Sequence, residues 1–175
     1  MIAPLHSSRR LLRPVSKRFI WGSLFLAWLL DLTPLGRLSI WIDCVPLVLC
    51  FWSVHQPQRV GMTTALLVGL VMDISQASVM GMNATAYILL TFMASLLSKR
   101  MHWYPLSVQA FIVLILMLGM QLVIACLLSL FAGIAWPPIE FFLPAVVSGF
   151  VWWPLSYVLL FPQFQPDEHD ETRPI

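Results

Sequence analysis

The chain has 175 residues, of which 59% are apolar and only 10% charged, with a formal net charge of +2 and a mean hydropathy of +0.85. A soluble domain of this size carries about 25% charged residues, so this chain has too little polar surface to cover itself in water. The composition excludes a water-soluble globular domain and points to an all-α fold, a polytopic membrane helix bundle.

A helix needs about 20 predominantly apolar residues to cross ~30 Å of hydrocarbon at ~1.5 Å per residue. Six apolar runs are read as spans: Phe19–Leu35, Leu38–Val54, Val60–Ser75, Val79–Ser98, Leu106–Ile134 and Ile139–Phe161. The second and third are short for that thickness, and the fifth is long enough to tilt. Five spans is the alternative, because the second run carries both Asp43 and Pro46. The domain organisation is therefore a basic segment at 1–18, a membrane domain at 19–161 and an acidic tail at 162–175.

The first segment, RRLLRPVSKR, holds Arg9, Arg10, Arg13, Lys17 and Arg18 ahead of the run FIWGSLFLAWLL. No small-x-small cleavage site follows before Asp31 and Pro34, so it reads as an uncleaved first span. Its charges suit a topology signal and an anchor on anionic lipid of the bilayer; it is too brief, and too close to the membrane, to indicate nucleic acid as a partner. Arg59 follows the second run, Lys99 and Arg100 follow the fourth, and Arg173 lies in the tail. Six spans put these nine basic residues on one face and leave Arg37 alone on the other. The positive-inside rule then places both termini in the cytoplasm.

Chemistry-bearing motifs are scarce. Cys44, Cys50 and Cys126 fall inside apolar runs without CxxC spacing, and His6, His55, His102 and His169 lack a carboxylate or second His at i+3 or i+4. There is no GxSxG, HExxH or P-loop pattern. Neither an enzyme nor a metal or cofactor is indicated.

The acids are more informative. Four crowd the tail QPDEHDETRPI, which is polar enough to expect disorder. Asp31, Asp43, Asp73 and Glu140 all fall near the outer ends of their spans, where Arg37 is a candidate partner. Asp73 interrupts GMTTALLVGLVMDISQASVMG, 13 residues or ~20 Å beyond Val60. An aspartate in a membrane helix is costly and has a partner or a task. It either marks a helix end or caps the following turn and shapes a surface for a partner; a proton relay lacks a chain of acids leading inward.

Small and polar residues recur at four-residue steps, which places each set on one helix face. Gly61, Ala65, Gly69 and Asp73 form one such stripe, Asn83, Tyr87, Thr91 and Ser95 another, and Gln121, Ala125, Ser129 and Gly133 a third. Such stripes let membrane helices approach closely; the alternative is a cavity lined by Asn83, Tyr87 and Gln121. The link ISQASVMGMNAT is short, so the third and fourth spans form a hairpin, with Gly81 free to take positive φ.

The order of a basic tail, one span, IDCVPLVLCFW, a short HQPQRVG loop, GLVMDISQASVMGMNATAYIL and a last span with SGFVWWP resembles the MreD family of bacterial rod shape-determining membrane proteins, from about Phe19 to Phe161. Gly69, Asp73 and Gly81 match the family pattern, with Arg59 and Gly61 preceding it. Asp43 matches an acidic or amide position that usually follows a Pro, whereas here Ile42 stands before it and the Pro is Pro46.

The resemblance implies a non-enzymatic component of the cell-elongation machinery in the bacterial inner membrane. Its partners would be an MreC-like bitopic protein and, in a wider complex, MreB, a RodA-type glycosyltransferase and a class B penicillin-binding transpeptidase. Asp43, Arg59, Gly61, Gly69, Asp73 and Gly81 would be the partner-binding or structural motif. The family is also similar in fold to the substrate-binding subunits of energy-coupling-factor vitamin transporters, which supplies a second expectation: a subunit that binds a small ligand near its outer face.

Overall fold

The computed structural model describes residues 16–33, 42–101, 103–131, 133 and 136–160. Their regular structure is entirely helical: α1 (Lys17–Leu32), α2 (Cys44–His55), α3 (Met62–Ser75), α4 (Met82–Met101), α5 (Leu106–Phe131) and α6 (Leu143–Leu160), with a 3₁₀ turn at Ile139–Phe142 before α6. The basic segment before Ser16, the segment with Arg37, and the acidic tail lie outside the described residues.

Two segments are long and apolar enough to cross a bilayer by length and composition, α5 with 26 residues and Ile139–Leu159 with 21. The packing suits a lipid surround. Large apolar side chains face outward, with Phe25 58% exposed, Phe111 62% and Phe150 78%. Water would disfavour such a surface, whereas hydrocarbon accepts it.

Helix α2 is the centre. Every residue from Val45 to Val54 is buried, which is the signature of a helix that is apolar on all sides. It packs against α1 and α4 along its length and touches α5 and α6. Phe51, Trp52 and Trp152 are among the fully buried side chains, and Phe51 meets both Trp rings at centroid distances of 5.2 and 5.6 Å. Two indole N–H groups tie α1 to its neighbours: Trp52 Nε1 donates to Ser23 Oγ at 2.8 Å, and Trp28 Nε1 to Ser75 Oγ at 3.0 Å.

The helix bounds differ from the apolar runs in ways that have causes. The second run begins at Leu38, yet Ile42 and Asp43 are not helical and α2 starts at Cys44. A proline ring clashes with the carbonyl four residues earlier, so Pro46 forbids a helix that includes Ile42. Within the first turn Pro46 is harmless, because its missing N–H would have had no intrahelical acceptor. The fourth run shifts to Met82–Met101 because residues 76–81 are consumed by the turn described below, and α5 ends at Phe131 rather than Ile134. Trp152 is buried and Trp153 half-exposed, so only the former is an interior packing residue.

Candidate functional site: the acid-bearing end of the bundle

Helices α1, α3 and α5 end, and α2, α4 and α6 begin, at one end of the bundle. A helix start leaves backbone N–H groups without intrahelical acceptors. In an apolar surround those groups cannot turn to water, so protein groups must satisfy them. Two aspartates do so, each from the preceding helix.

Asp73 lies in the last turn of α3 with 1% of its surface exposed. Its carboxylate accepts from the backbone N–H of Gly81 at 2.8 Å and of Asn83 at 2.9 Å, and from Ser78 Oγ at 3.0 Å. The carbonyl of Gly81 accepts the first bond of α4, from Thr85 N–H at 2.9 Å. Gly81 therefore occupies the capping position of α4 and has no side chain to cap with; Asp73 supplies the missing oxygens from across the turn. Its carboxyl oxygens also sit at the positive end of the α4 dipole.

The turn itself follows from the end of α3. Ser78 N–H bonds the Asp73 carbonyl at 3.0 Å and Ala77 N–H bonds that of Ile74 at 3.3 Å, the paired bonds of a Schellman ending. Its left-handed position is filled by Ala77 at φ +50°, where glycine is the usual occupant. Gly81, at φ +95°, takes a conformation that suits glycine alone.

Gly69 explains the small-residue stripe. A Cβ built there would press on Ala84 Cα and lie 2.7 Å from Ala84 N. The backbones of α3 and α4 touch at this point, so Gly69 is a packing residue. Gly61 has open space around it and stands with Arg59 in the α2–α3 connection, at the opposite end of α3 from Asp73. The motif Asp43, Arg59, Gly61, Gly69, Asp73, Gly81 is thus divided: Asp43, Asp73 and Gly81 lie at one end, Gly69 along the helix, Arg59 and Gly61 at the other.

Sequence reasoning placed Asp31 among the outer acids but assigned it no role. Its two oxygens accept from the backbone N–H of Cys44 and Val45, each at 2.9 Å. Those are the first two positions of α2, and the third is Pro46. Asp31 therefore does for the α1–α2 pair what Asp73 does for α3–α4. A helix-final Asp in each hairpin was the available signal, but the 13-residue gap hides the pairing.

Asp43 precedes α2 without capping it. Its carboxylate instead accepts from Gln121 Nε2 at 3.3 Å, joining the start of α2 to the middle of α5. Asn83 Nδ2 reaches Gln76 Oε1 at 3.3 Å and Ser78 Oγ at 3.4 Å. Asp43, Asn83, Tyr87, Gln121 and Glu140 line a single cavity of about 540 Å³ at this end. The three residues proposed from the stripes, Asn83, Tyr87 and Gln121, are therefore brought together, and Asp43 joins them. Among the described residues no group of three or more His, Cys, Asp or Glu is placed to hold a metal ion.

No solved structure matches the chain. Residues 16–164 match the family described as rod shape-determining protein MreD. The match runs from the residue before α1 to just beyond α6, so it takes in the whole bundle, both acid-capped helix pairs and the cavity. The members of that family are shape-determining structural proteins of the membrane, and the chain belongs to the MreD family.

Proposed function

We propose that the chain is a non-catalytic, multi-pass component of the bacterial inner membrane. It would have six spans, both termini in the cytoplasm, and a role in holding an MreC-like partner within the cell-elongation machinery. MreB, a RodA-type glycosyltransferase and a class B penicillin-binding transpeptidase would form the wider complex that organises peptidoglycan synthesis. The observation that carries this reading is the family match over residues 16–164, and family membership implies a part in rod-shape determination.

The partner would dock on exposed groups near the α3–α4 turn. Asp73 and Gly69 are buried and engaged within the fold, so they support the surface rather than form it. The exposed groups of the same rim are Ile74, Val79 and Met80, 68%, 48% and 70% exposed. An apolar rim held rigid by the α3–α4 turn suits the juxtamembrane part of a bitopic protein. The test is recovery of the MreC-like protein with tagged Met80→Asp, alongside Asp73→Ala. The reading expects Met80→Asp to lose the partner while the protein still folds; full recovery with Met80→Asp would remove this surface from consideration.

A second reading is supported by the cavity. A fold similar to energy-coupling-factor substrate-binding subunits would place a ligand there, and such a subunit would co-purify with a membrane coupling protein and paired ATPases. Recovery of those proteins in place of an MreC-like one would decide for it.

A further inference from the structure

The cavity at the acid-bearing end has a polar lining of two carboxyl groups, three side-chain amides and two hydroxyls, Gln76 and Ser78 among them. Asp43 and Glu140 contribute carboxylates, and Gln121, Asn83 and Tyr87 contribute amide and hydroxyl groups; no Lys or Arg is among the described residues that line it. Asp43 is half-buried and Glu140 exposed, and among the described lining residues no cation offsets the pair.

Gln121 supplies an independent sign. The side chain is 3% exposed, and its Nε2 donates to Asp43 Oδ2 at 3.3 Å. That bond fixes the amide orientation, because the reverse would set a carbonyl oxygen against a carboxylate. Oε1 is then left buried without any hydrogen-bond partner. Buried acceptors are nearly always satisfied, so the site lacks a donor. A cation on Asp43 would displace the Nε2 bond, and the soft Cγ–Cδ torsion would then let the amide turn its oxygen toward the bound group. The apolar part of the lining includes Met72, Met82 and Met120, with Ile124 and Leu128. Thioether side chains reshape readily around an aliphatic stem.

We propose that this cavity binds an aliphatic ammonium or guanidinium group, with the cation between Asp43 and Glu140, an N–H donated to Gln121 Oε1, and the stem along the methionines. The chemistry is the same whether the group belongs to a free amine or to a Lys or Arg side chain of another protein. The site rests on the fold alone and on neither functional reading.

The probes are hexylammonium and hexylguanidinium, titrated into the purified full chain in mild detergent while Trp fluorescence follows thermal unfolding. Hexanol serves as the uncharged control. The expected result is a saturable rise in melting temperature with the two cations, by mass action, and none with hexanol. Asp43→Asn and Glu140→Gln should each weaken binding by about tenfold or more. Gln121→Leu removes the orphaned acceptor together with the donor to Asp43, and it should lose most of the response. Glu140 is exposed, so its variant folds even if Asp43→Asn does not. A photo-crosslinker at Phe141 in cells separates the sources: a cross-link to a basic segment of another chain assigns the group to a protein, and amine binding without one assigns it to a small molecule. Equal shifts with hexanol, no shift with any probe, or unchanged responses in both carboxylate variants would overturn the proposal. So would a response that emerges only in Arg37→Gln, since the chain's own arginine would then be the occupant.

Discussion

Removing the Asp73 carboxylate should uncap α4, and the cost can be worked from its three bonds. Asp73→Ala strips the acceptor from two backbone N–H groups, those of Gly81 and Asn83. Each unsatisfied buried donor costs about 1–3 kcal/mol, so the two together cost about 2–6 kcal/mol. Ser78 adds little, because its hydroxyl already lies 3.4 Å from the Asp73 backbone carbonyl and can turn to it. Asp73→Asn keeps one carbonyl oxygen but turns an NH₂ group toward an N–H, so one bond is lost and about 1–3 kcal/mol with it. The assay is thermal unfolding in mild detergent, read by a thiol-reactive dye on the fully buried Cys50. Cys44 and Cys126, only partly buried, are first replaced by Ala. At about 2–4 °C per kcal/mol for a chain of this size, a loss of ~2 kcal/mol in the Asn variant lowers the midpoint by about 4–8 °C. A loss of ~4 kcal/mol in the Ala variant lowers it by about 8–16 °C. The capping account fails if Asp73→Asn melts with the wild type, or if Ser78→Ala costs as much as Asp73→Ala.

Asp31→Ala should behave like Asp73→Ala, at about 2–6 kcal/mol, because it orphans the N–H groups of Cys44 and Val45; the same dye assay reads it. Gly69→Ala should lower stability by about 1–3 kcal/mol through overpacking, whereas Gly61→Ala, with open space around it, should stay within about 0.5 kcal/mol. Ala84→Gly should not rescue Gly69→Ala, since the clash is with Ala84 backbone atoms and not its methyl group. Ala77→Gly should raise stability by about 1 kcal/mol, because it relieves a left-handed residue of its Cβ penalty.

Local features of this bundle were legible in the sequence. The α3–α4 hairpin followed from a link too short for anything else, and the four-residue stripes located Gly69 and Ala65 on the buried side of α3. Gly81 was read as free to take positive φ, and it does. Asp73 was read as either a helix end or a cap of the following turn, and it is both: the N–H groups of Gly81 and Asn83 go to it. A carboxyl group offers two acceptor oxygens at once, and which N–H groups eight and ten positions away it takes is not visible by periodicity. Longer-range pairings were less legible still. The bond from Gln121 to Asp43 spans 78 positions, and no pattern in one sequence marks such a pair. The central place of α2 was missed for a different reason: an apolar run has the same composition whether it faces lipid or other helices.

The short helices and the buried acids are two sides of one constraint. Helix α2 has 12 residues and α3 has 14, which rise about 18 and 21 Å, well short of ~30 Å of hydrocarbon. On the proposed six-span topology α2 leaves part of the hydrocarbon thickness uncovered, and where that shortfall lies at its start the first N–H groups have no water to bond. An ordinary capping residue in the connecting segment would have to be buried with its own backbone equally unsatisfied. A carboxylate carried on the preceding helix avoids this, because that helix has already satisfied its own backbone and can deliver two oxygens at depth. The same reasoning applies to Asp73 and α4. With α2 ending short, the space above it is bounded by α3, α4, α5 and the 3₁₀ turn, which is where the 540 Å³ cavity lies. Asp43 then faces that cavity because Asp31 has already taken over the capping that Asp43 would otherwise perform.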